Sequence, residues 1–277
     1  MAAQAIKTMN LYSHLERFDN ELRERSLPTE GPLDPAALSA IDSMHYHGTD
    51  AVDAAASSLG LDGSSRVLEI GSGLGGVARR IALTTNARVA ALELQRDVSS
   101  VAAALTVRCG LCDYVNHVVG DIVAPGVLGK RTFTHVVSFL CFLHIPDKVD
   151  VLAAAYAAMV PGGTLLVEDF YDNGLTDVDK AALEKDVFAS GVPTRKAYLA
   201  SLEAAGFKLH EWTDLTDSWA TYTGDRAAKY AADEKRHVRV HGRATYDSQM
   251  HFYDVVARLF RGKRLGGVKY VASRPSS

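Results

Sequence analysis

The chain has 277 residues, a hydrophobic fraction of 47% and a formal net charge of −3 at pH 7, so it can bury one large core. The charges are spread along the chain, which argues against nucleic-acid binding, and no apolar run approaches the ~18 residues of a membrane span. Three cysteines are too few for a disulfide framework, and residues 1–10 lack the apolar stretch of a secretory signal. We therefore expect a cytoplasmic protein with no nucleic-acid or membrane partner.

The apolar residues near the N-terminus recur at helical spacing. They predict an amphipathic helix over residues 10–25 and a second helix over 49–59, with a Pro/Gly-rich linker at 27–35. From residue 63 onward, apolar runs and helical patterns alternate. The predicted strands are residues 66–70, 88–94, 114–119, 133–140 and 163–169, and the predicted helices are 76–84, 96–108 and 147–159.

The last third of the chain continues the alternation. It predicts a helix over 194–205, a strand over 207–215, a long helical stretch to Phe260 and a final strand over 267–273. The strands are rich in Val, Leu and Ile, as in sheets that are covered on both faces. Strands separated by helices indicate βαβ units. The fold class is therefore α/β, with a Rossmann-like, doubly wound and mainly parallel sheet.

A glycine-rich loop follows the first predicted strand, in the sequence EIGSGLGG at residues 69–76. Glycines let the backbone turn tightly and approach a ligand that side chains would exclude. Gly71, Gly73 and Gly76 also satisfy the GxGxxG fingerprint of dinucleotide-binding folds. By itself, the loop is therefore also compatible with an NAD-dependent oxidoreductase.

Three acidic residues narrow the choice of ligand. Glu69 lies two positions before Gly71, where it suits a cation such as the sulfonium or ammonium of S-adenosylmethionine and would repel a pyrophosphate. Glu93, near the end of the second predicted strand, can hold both ribose hydroxyls of either cofactor. Asp121 follows the third strand, where it can accept a hydrogen bond from an adenine amino group. Together, Glu69 and Asp121 favour S-adenosylmethionine.

Residues 66–170 resemble a class I S-adenosylmethionine-dependent methyltransferase. The resemblance depends on the E-x-G-x-G-x-G loop, the acid on the second strand, Gly120-Asp121, and the Pro-Gly-Gly sequence at 161–163. It implies a seven-stranded sheet whose last strand is antiparallel, with residues 63–277 as the methyltransferase domain and residues 1–62 as N-terminal helices and a lid segment. The predicted cofactor-binding residues are Glu69, Gly71, Ser72, Gly73, Gly75, Glu93, Leu94, Asp121, Ile122 and Leu140.

Two segments are candidates for the acceptor side of the site. His144 follows the fourth predicted strand, at the ligand side of a doubly wound sheet, and is either a general base or a residue that packs the loop. Residues 42–49 lie where members of the family carry a lid, and they offer Tyr46 and His47 to an acceptor. We predict His144 and Tyr46 as catalytic residues. His45 and His47 have no carboxylate or cysteine cluster beside them, so no metal site is expected.

A narrower resemblance extends over about residues 44–274. Phe142-Leu143-His144, Tyr198, the 212–219 stretch and the ending FRGKRLGG make the chain similar to small-molecule N-methyltransferases of the phosphoethanolamine and sarcosine/dimethylglycine type. In the phosphoethanolamine enzymes a tyrosine of the lid pairs with a histidine at the position of His144, and Tyr46 matches that tyrosine best. Phe188 and Ser190 replace the residues that hold phosphate there, which argues against a phosphate-bearing acceptor. The predicted acceptor pocket is partly apolar and includes His47, Phe142, Phe170 and Tyr171.

The predicted activity is transfer of a methyl group from S-adenosylmethionine to a small molecule, with an amine nitrogen as the favoured acceptor. A small-molecule O- or C-methyltransferase on the same fold is an alternative. Two other classes remain open, an NAD-dependent oxidoreductase and a non-catalytic S-adenosylmethionine-binding protein. The basic residues between 229 and 243 alternate with acids on a predicted helix, which is typical of a solvated face, although one of them could bind an acceptor carboxylate.

Overall fold

Seven strands form one sheet in the computed structural model, which describes residues 15–130 and 132–276. Their order is β3-β2-β1-β4-β5-β7-β6, with β7 antiparallel to both of its neighbours and the other paired strands parallel. The predicted Rossmann-like sheet with an antiparallel last strand is confirmed. The strands are β1 (Arg66–Ile70), β2 (Arg88–Glu93), β3 (Val115–Val119), β4 (Phe133–Phe139), β5 (Met159–Asp172), β6 (Lys208–Asp214) and β7 (Leu265–Ser273).

Helices cover both faces of this sheet. None of the described helices has both the length and the apolar character needed to cross a bilayer. A short 3-10 turn, Phe142–His144, follows β4. The α-helices are α1 (Glu16–Glu24), α2 (Pro35–Asp42), α3 (Gly48–Leu59), α4 (Gly76–Thr85), α5 (Arg96–Arg108), α6 (Lys148–Ala158), α7 (Asp177–Asp186), α8 (Arg195–Ala204), α9 (Thr216–Ala232), α10 (Glu234–His241) and α11 (Arg243–Arg261).

The two faces of the sheet bury separate apolar cores. Successive side chains of a strand point to opposite faces, so Val67 packs in the cluster that contains Val52 of α3, whereas Leu68 packs with Leu152 of α6 and Tyr198 of α8. All five of these side chains are almost fully buried. The unbroken apolar runs of the sequence thus correspond to strands that are covered on both sides.

The N-terminal helices are fixed to the edge of this fold by a third cluster and an ion pair. Phe18 and Leu22 of α1 and Leu38 of α2 pack against residues of the glycine loop and α5. Asp42, the last residue of α2, accepts a 2.6 Å hydrogen bond from Arg79 of α4, and both side chains are 2% exposed. This anchoring places the chain after Asp42 directly beside the glycine loop.

Two helices were not predicted from the apolar pattern. At the start of α2 the Asp34 side chain accepts a hydrogen bond from the backbone N–H of Ala36. Thr176 and Asp179 form a reciprocal capping box at the start of α7. These caps satisfy backbone donors that a helix end leaves free, so they favour short helices whose apolar periodicity is weak.

Other elements differ from the prediction in length or continuity. The long helical stretch is three helices, interrupted at Asp233 and at Gly242, whose φ of 86° is in the left-handed region. The predicted helix at 10–25 is observed as α1, and residues 10–14 lie outside the described residues. Cys109 and Cys112 carry free thiols, and Cys109 directly follows the last residue of α5.

Candidate active site

A cavity of about 300 Å³ opens at the carboxyl ends of β1, β2 and β4, and we call it the first cavity. Ligands of doubly wound sheets bind at this edge because the loops that follow the parallel strands meet there. The structure brings nine of the ten predicted cofactor residues to its wall. They are Glu69, Gly71, Ser72, Gly73, Glu93, Leu94, Asp121, Ile122 and Leu140.

The glycine loop supplies one side of the first cavity. Gly71, Gly73 and Gly75 have φ angles of 79°, 49° and 78°, which L-residues with a side chain rarely adopt. A Cβ atom on Gly71 would lie 2.2 Å from Cys141 Sγ. Gly75 turns away from the cavity, and a Cβ atom there would lie 2.9 Å from Arg79 Nη1. Gly75 thus allows the loop to pack, whereas Gly71 and Gly73 form the wall.

Glu93 links the loop to the end of β2. Its Oε2 accepts a 2.9 Å hydrogen bond from the N–H of Gly73, and its Oε1 accepts one of 2.9 Å from Gln95. Each carboxylate oxygen retains capacity for a second donor, such as a ribose hydroxyl. Burial raises the pKa of Glu93. Asp121 lies across the cavity, where its Oδ1 accepts from the N–H of Val123 at 3.1 Å.

Glu69 is a deeply buried acid in the wall of the first cavity. Its side chain is 2% exposed, and Oε2 has no hydrogen-bond partner among the residues that the structure describes. Burial raises the pKa of Glu69 to about 8, and nearby Arg79 opposes that shift. An unpartnered buried carboxylate oxygen is stabilised by a cationic group. This wall therefore fits a positively charged ligand.

A second cavity, of about 270 Å³, adjoins the first. The two share Met44, Leu140 and His144 in their walls. The second cavity lies among α1, α9 and α11, and Tyr46 and Phe170 line it. The arrangement places His144 at the boundary between the two compartments.

His144 is a buried imidazole with a defined tautomer. Its Nδ1 lies 3.0 Å from the carbonyl oxygen of Phe188, which can only accept, so Nδ1 carries the proton and Nε2 has the free lone pair. Burial lowers the pKa of His144, so the ring is neutral at pH 7. Ser190 donates to the carbonyl oxygen of His144 at 2.9 Å, and Lys148 donates to that of Phe142 at 2.7 Å. These bonds fix the turn that carries the imidazole.

Tyr46 lies in an aromatic cluster at the second cavity. Its ring centroid is 4.8 Å from that of Trp219 in an edge-on contact and 6.2 Å from that of Phe170. Burial raises the pKa of Tyr46 to about 12, so its phenol stays protonated at neutral pH. Tyr46 can thus position an acceptor or donate a hydrogen bond, but it does not serve as a base in this state.

Three predicted acceptor residues lie outside both cavities. Phe142 is fully buried in the core beneath the sheet edge, and Tyr171 packs in the same core and donates to Asp214 at 2.8 Å. Tyr171 points to the face opposite Phe170 because side chains alternate along β5. His47 is exposed, with its Nε2 3.0 Å from the hydroxyl of Ser218. The structure therefore brings Phe170, but not these three, to the second cavity.

The cationic end of the second cavity, which includes Arg17 and Arg226, could not be predicted from the sequence. The basic run between residues 229 and 243 is mostly paired, for example Arg236 with Glu21 at 2.7 Å. Glu21, His237 and His241 also lie close enough to hold a metal ion. However, Glu21 Oε2 already accepts from Arg236 and Oε1 lies 2.8 Å from His241 Nε2, so the carboxylate is engaged by the protein itself.

Known proteins share this architecture. A family model described as a methyltransferase domain matches residues 68–167. Sterol 24-C-methyltransferase of Neurospora crassa is 30% identical over 169 residues, which are 58% of this chain and 44% of that protein. The match thus spans less than half the length of this curated relative.

Two solved structures have the same fold at low sequence identity. Phosphoethanolamine N-methyltransferase 2 of Haemonchus contortus, solved with phosphomonomethylethanolamine and S-adenosylhomocysteine, has a TM-score of 0.75 and 18% identity over 84% of this chain and 55% of its own. The [4+2]-cyclase SpnF has a TM-score of 0.73 and 18% identity over 99% of this chain and 97% of its own. Both likenesses concern the fold.

The sheet topology and the glycine loop agree with the methyltransferase domain that residues 68–167 match. The resemblance to class I enzymes, including the phosphoethanolamine and sarcosine/dimethylglycine type, is confirmed at the level of the fold. Domains of this class use S-adenosylmethionine, the predicted cofactor. The family match argues against an NAD-dependent oxidoreductase.

Proposed function

We propose that the chain transfers a methyl group from S-adenosylmethionine in the first cavity to an amine nitrogen of a small molecule in the second. The observation that carries the proposal is the neutral imidazole of His144 at the boundary of two adjoining cavities. In this proposal residues 63–277 form the catalytic domain and residues 1–62 form N-terminal helices and a lid segment. Asp42, Met44 and His45 line the first cavity, which supports the assignment of that segment.

The residues of the first cavity fit S-adenosylmethionine. Glu69 would face a cationic group, Glu93 would accept from the ribose hydroxyls, and Asp121 would accept from the adenine amino group. When bound, the cofactor supplies a methyl group activated by its sulfonium. Gly71 and Gly73 leave room for the ligand to lie against the backbone of the loop.

His144 would prepare the acceptor nitrogen. A protonated amine has no lone pair, and Nε2 of the neutral imidazole can take up the proton of the ammonium. The walls of the second cavity, including Tyr46 and Phe170, would hold the nitrogen in line with the methyl group. For a direct displacement this positioning supplies much of the rate.

Carbon methylation is the second candidate, because the curated relative named above is a sterol C-methyltransferase. The lining of the second cavity favours a polar acceptor over a sterol. Arg17, Arg226 and Arg236 are among its wall residues, and cations suit a polar acceptor better than a largely apolar sterol.

The direct test is a methyl-transfer screen with purified protein, S-adenosylmethionine and panels of amines, amino acids, phenols and sterols. We expect S-adenosylhomocysteine to form with members of the amine and amino-acid panels. Turnover only of phenols or sterols would overturn the nitrogen assignment and keep the donor. Donor binding without turnover of any panel would favour a non-catalytic binding protein.

Replacing Glu93 by alanine should weaken S-adenosylmethionine binding by about 1.5–3 kcal/mol, because the change removes hydrogen bonds to a charged group. The change also frees the N–H of Gly73 from its 2.9 Å bond. Titration calorimetry measures the loss. The control is Asp97→Ala, an exposed acid on α5 that lines neither cavity. Wild-type affinity in Glu93→Ala would show that Glu93 does not contact the cofactor.

Donor affinity should rise with pH between 6 and 7.5. The pKa of Glu69 is about 8 in the unliganded protein, so a cationic ligand that binds the ionised carboxylate must displace a proton. Its affinity should therefore rise by up to about tenfold per pH unit. Titration calorimetry in buffers of different ionisation enthalpy should detect proton release, and Glu69→Gln should flatten the profile. A pH-independent affinity in the wild type would contradict this linkage.

Ionisation of Glu69 should also affect the stability of the unliganded protein, which should fall with rising pH while donor affinity rises. A raised pKa means that the folded protein binds the Glu69 proton more tightly than the unfolded chain, so this contribution is complete below pH 4.5 and is lost as the pH rises towards 8. Glu69→Gln should therefore raise the melting temperature of the unliganded protein at pH 8 while it weakens the donor.

A further inference from the structure

A buried lysine holds the turn that carries His144 from the protein side. Lys148, the first residue of α6, is 5% exposed and lines neither cavity. Its Nζ donates to the carbonyl oxygen of Phe142 at 2.7 Å, to that of Ile145, and to that of Gly191 at 3.3 Å. Phe142 and Ile145 lie on either side of His144 in the chain, so one group binds both ends of the turn.

These contacts require the charged form of Lys148. An ammonium has three N–H groups and no lone pair, and three carbonyl oxygens accept from it here. A neutral amine would offer two N–H groups and would direct its lone pair at one of the oxygens. Burial lowers the pKa of Lys148, and the nearby Asp169 opposes that shift. Lys148 is therefore an ammonium at neutral pH.

No direct ion pair neutralises this ammonium. Within residues 15–130 and 132–276, no carboxylate forms a salt bridge with Lys148. The carboxyl group that acts most on it is that of Asp169, and burial raises the pKa of Asp169 to about 7. As the pH falls below 7 this carboxyl becomes protonated, so the ammonium loses its compensating charge. In the packed interior little water screens such a charge.

His144 lies within the field of Lys148. The Nδ1 proton of the imidazole is directed at the carbonyl oxygen of Phe188, so a second proton would have to bind at Nε2. Burial lowers the pKa of His144, and the ammonium of Lys148 adds to that shift because it repels the imidazolium. The group that fixes the turn thus also disfavours protonation of the ring.

The other charged groups around His144 act across the two cavities whose walls it shares. Those of the first cavity favour a protonated ring and are the carboxylates of Asp42, Glu69, Glu93, Asp121, Asp147 and Asp150. Those of the second cavity are Arg17, Glu21, Arg25, Arg226 and Arg236. The remaining titratable side chains are His45 and Cys141 in the first wall, and four tyrosines and two histidines in the second. Lys148 differs from all of these because it reaches the turn through the protein interior.

We propose that Lys148 is a positioning residue for His144, whose turn it fixes through the flanking carbonyl oxygens and whose imidazole it keeps unprotonated by its charge. The inference rests on the proposed function, in which His144 accepts a proton from the acceptor. It adds that the base is free at pH values where an ordinary histidine is protonated, and that a proton taken from the acceptor is released readily.

The test measures protonation of His144 directly and needs no turnover. The ring signals of the ten histidines, labelled with carbon-13 in the full chain, are followed by NMR from pH 5 to 8. The signal that is missing in His144→Gln belongs to His144. In Lys148→Met the protonated fraction of His144 at pH 6 should rise at least about threefold over the wild type, because a repelling charge is removed.

Matched variants separate the charge from the hydrogen bonds. Lys148→Arg keeps the charge and should keep the wild-type titration of His144. Lys148→Gln keeps a donor for the carbonyl oxygens but loses the charge, so it should titrate as Lys148→Met does. Lys196→Met removes an exposed cation of α8 outside both cavities and is the control. Melting temperatures identify a variant that does not fold, and Lys148→Gln decides if Lys148→Met is lost.

The outcomes separate this inference from the proposed function. Unchanged protonation of His144 in a folded Lys148→Met or Lys148→Gln would overturn the inference, as would an equal rise in Lys148→Arg. With an amine acceptor, the acid limb of kcat/KM should move to higher pH in both neutral variants. An altered titration of His144 without movement of that limb would show that His144 is not the base. The proposed function would then fail, whereas the effect of Lys148 on the imidazole would stand.

Discussion

His144→Ala is expected to lower kcat by about 10²–10⁴-fold with the best amine acceptor, the range typical of a lost general base. The Nδ1 proton is held by the Phe188 carbonyl oxygen, so the variant removes the free lone pair of Nε2. Donor affinity should stay within about twofold, because the acids of the first cavity remain. Steady-state kinetics and donor titration on the same preparation measure both quantities.

The pH profile distinguishes a base from a structural residue. Burial lowers the pKa of His144 below its ordinary 6.5, so kcat/KM for the acceptor, measured with the donor saturating, should fall as the pH drops through that lowered pKa. A packing histidine predicts instead a lower melting temperature with kcat changed only a few-fold. His210→Ala, an exposed residue of β6 bonded to Ser273, is the matched control.

Gly73→Val is expected to weaken S-adenosylmethionine by more than about 100-fold. Gly73 has a φ of 49° and lies in the wall of the first cavity. A β-branched residue avoids this backbone region and would also occupy space beside the ligand. Titration calorimetry should show little or no binding at concentrations that saturate the wild type.

Gly110→Val is the control for backbone strain. Gly110 has a φ of 67°, is exposed, and would place a Cβ atom in open space after α5. Both variants should lose melting temperature, but only Gly73→Val should lose the donor. Intact donor affinity in Gly73→Val would place the cofactor away from the glycine loop.

The sheet and the first cavity could be predicted because their signals are local. Strands such as β1 are short apolar runs, and Glu69, Gly71 and Gly73 lie within five positions of one another in sequence. A topological rule then brings the ends of parallel strands to one edge. The same rule predicts that Asp121 lies in this cavity, although it is distant in sequence from the glycine loop.

The second cavity could not be predicted in this way. Its walls come from α1, α9 and α11, and its contacts join residues as distant as Arg17 and Gln249. Periodicity shows which face of a helix is apolar but does not show which helix covers it. The prediction that Tyr171 lines the acceptor pocket was wrong for a simpler reason. Neighbouring residues of a strand point to opposite faces of the sheet, so Phe170 and Tyr171 cannot both face the cavity.

The buried ion pair between Asp42 and Arg79 anchors one end of the segment that lines the first cavity. Separating two charges that are each 2% exposed would cost about 3–5 kcal/mol if one were left unpaired. The backbone around Asp42 is therefore anchored, and α3, which begins at Gly48, is a second anchored point. The short connection from Asp42 to the start of α3 contains two residues with positive φ, His47 at 58° and Gly48 at 52°. Met44 and His45, which line the first cavity, are thus held between two anchored points.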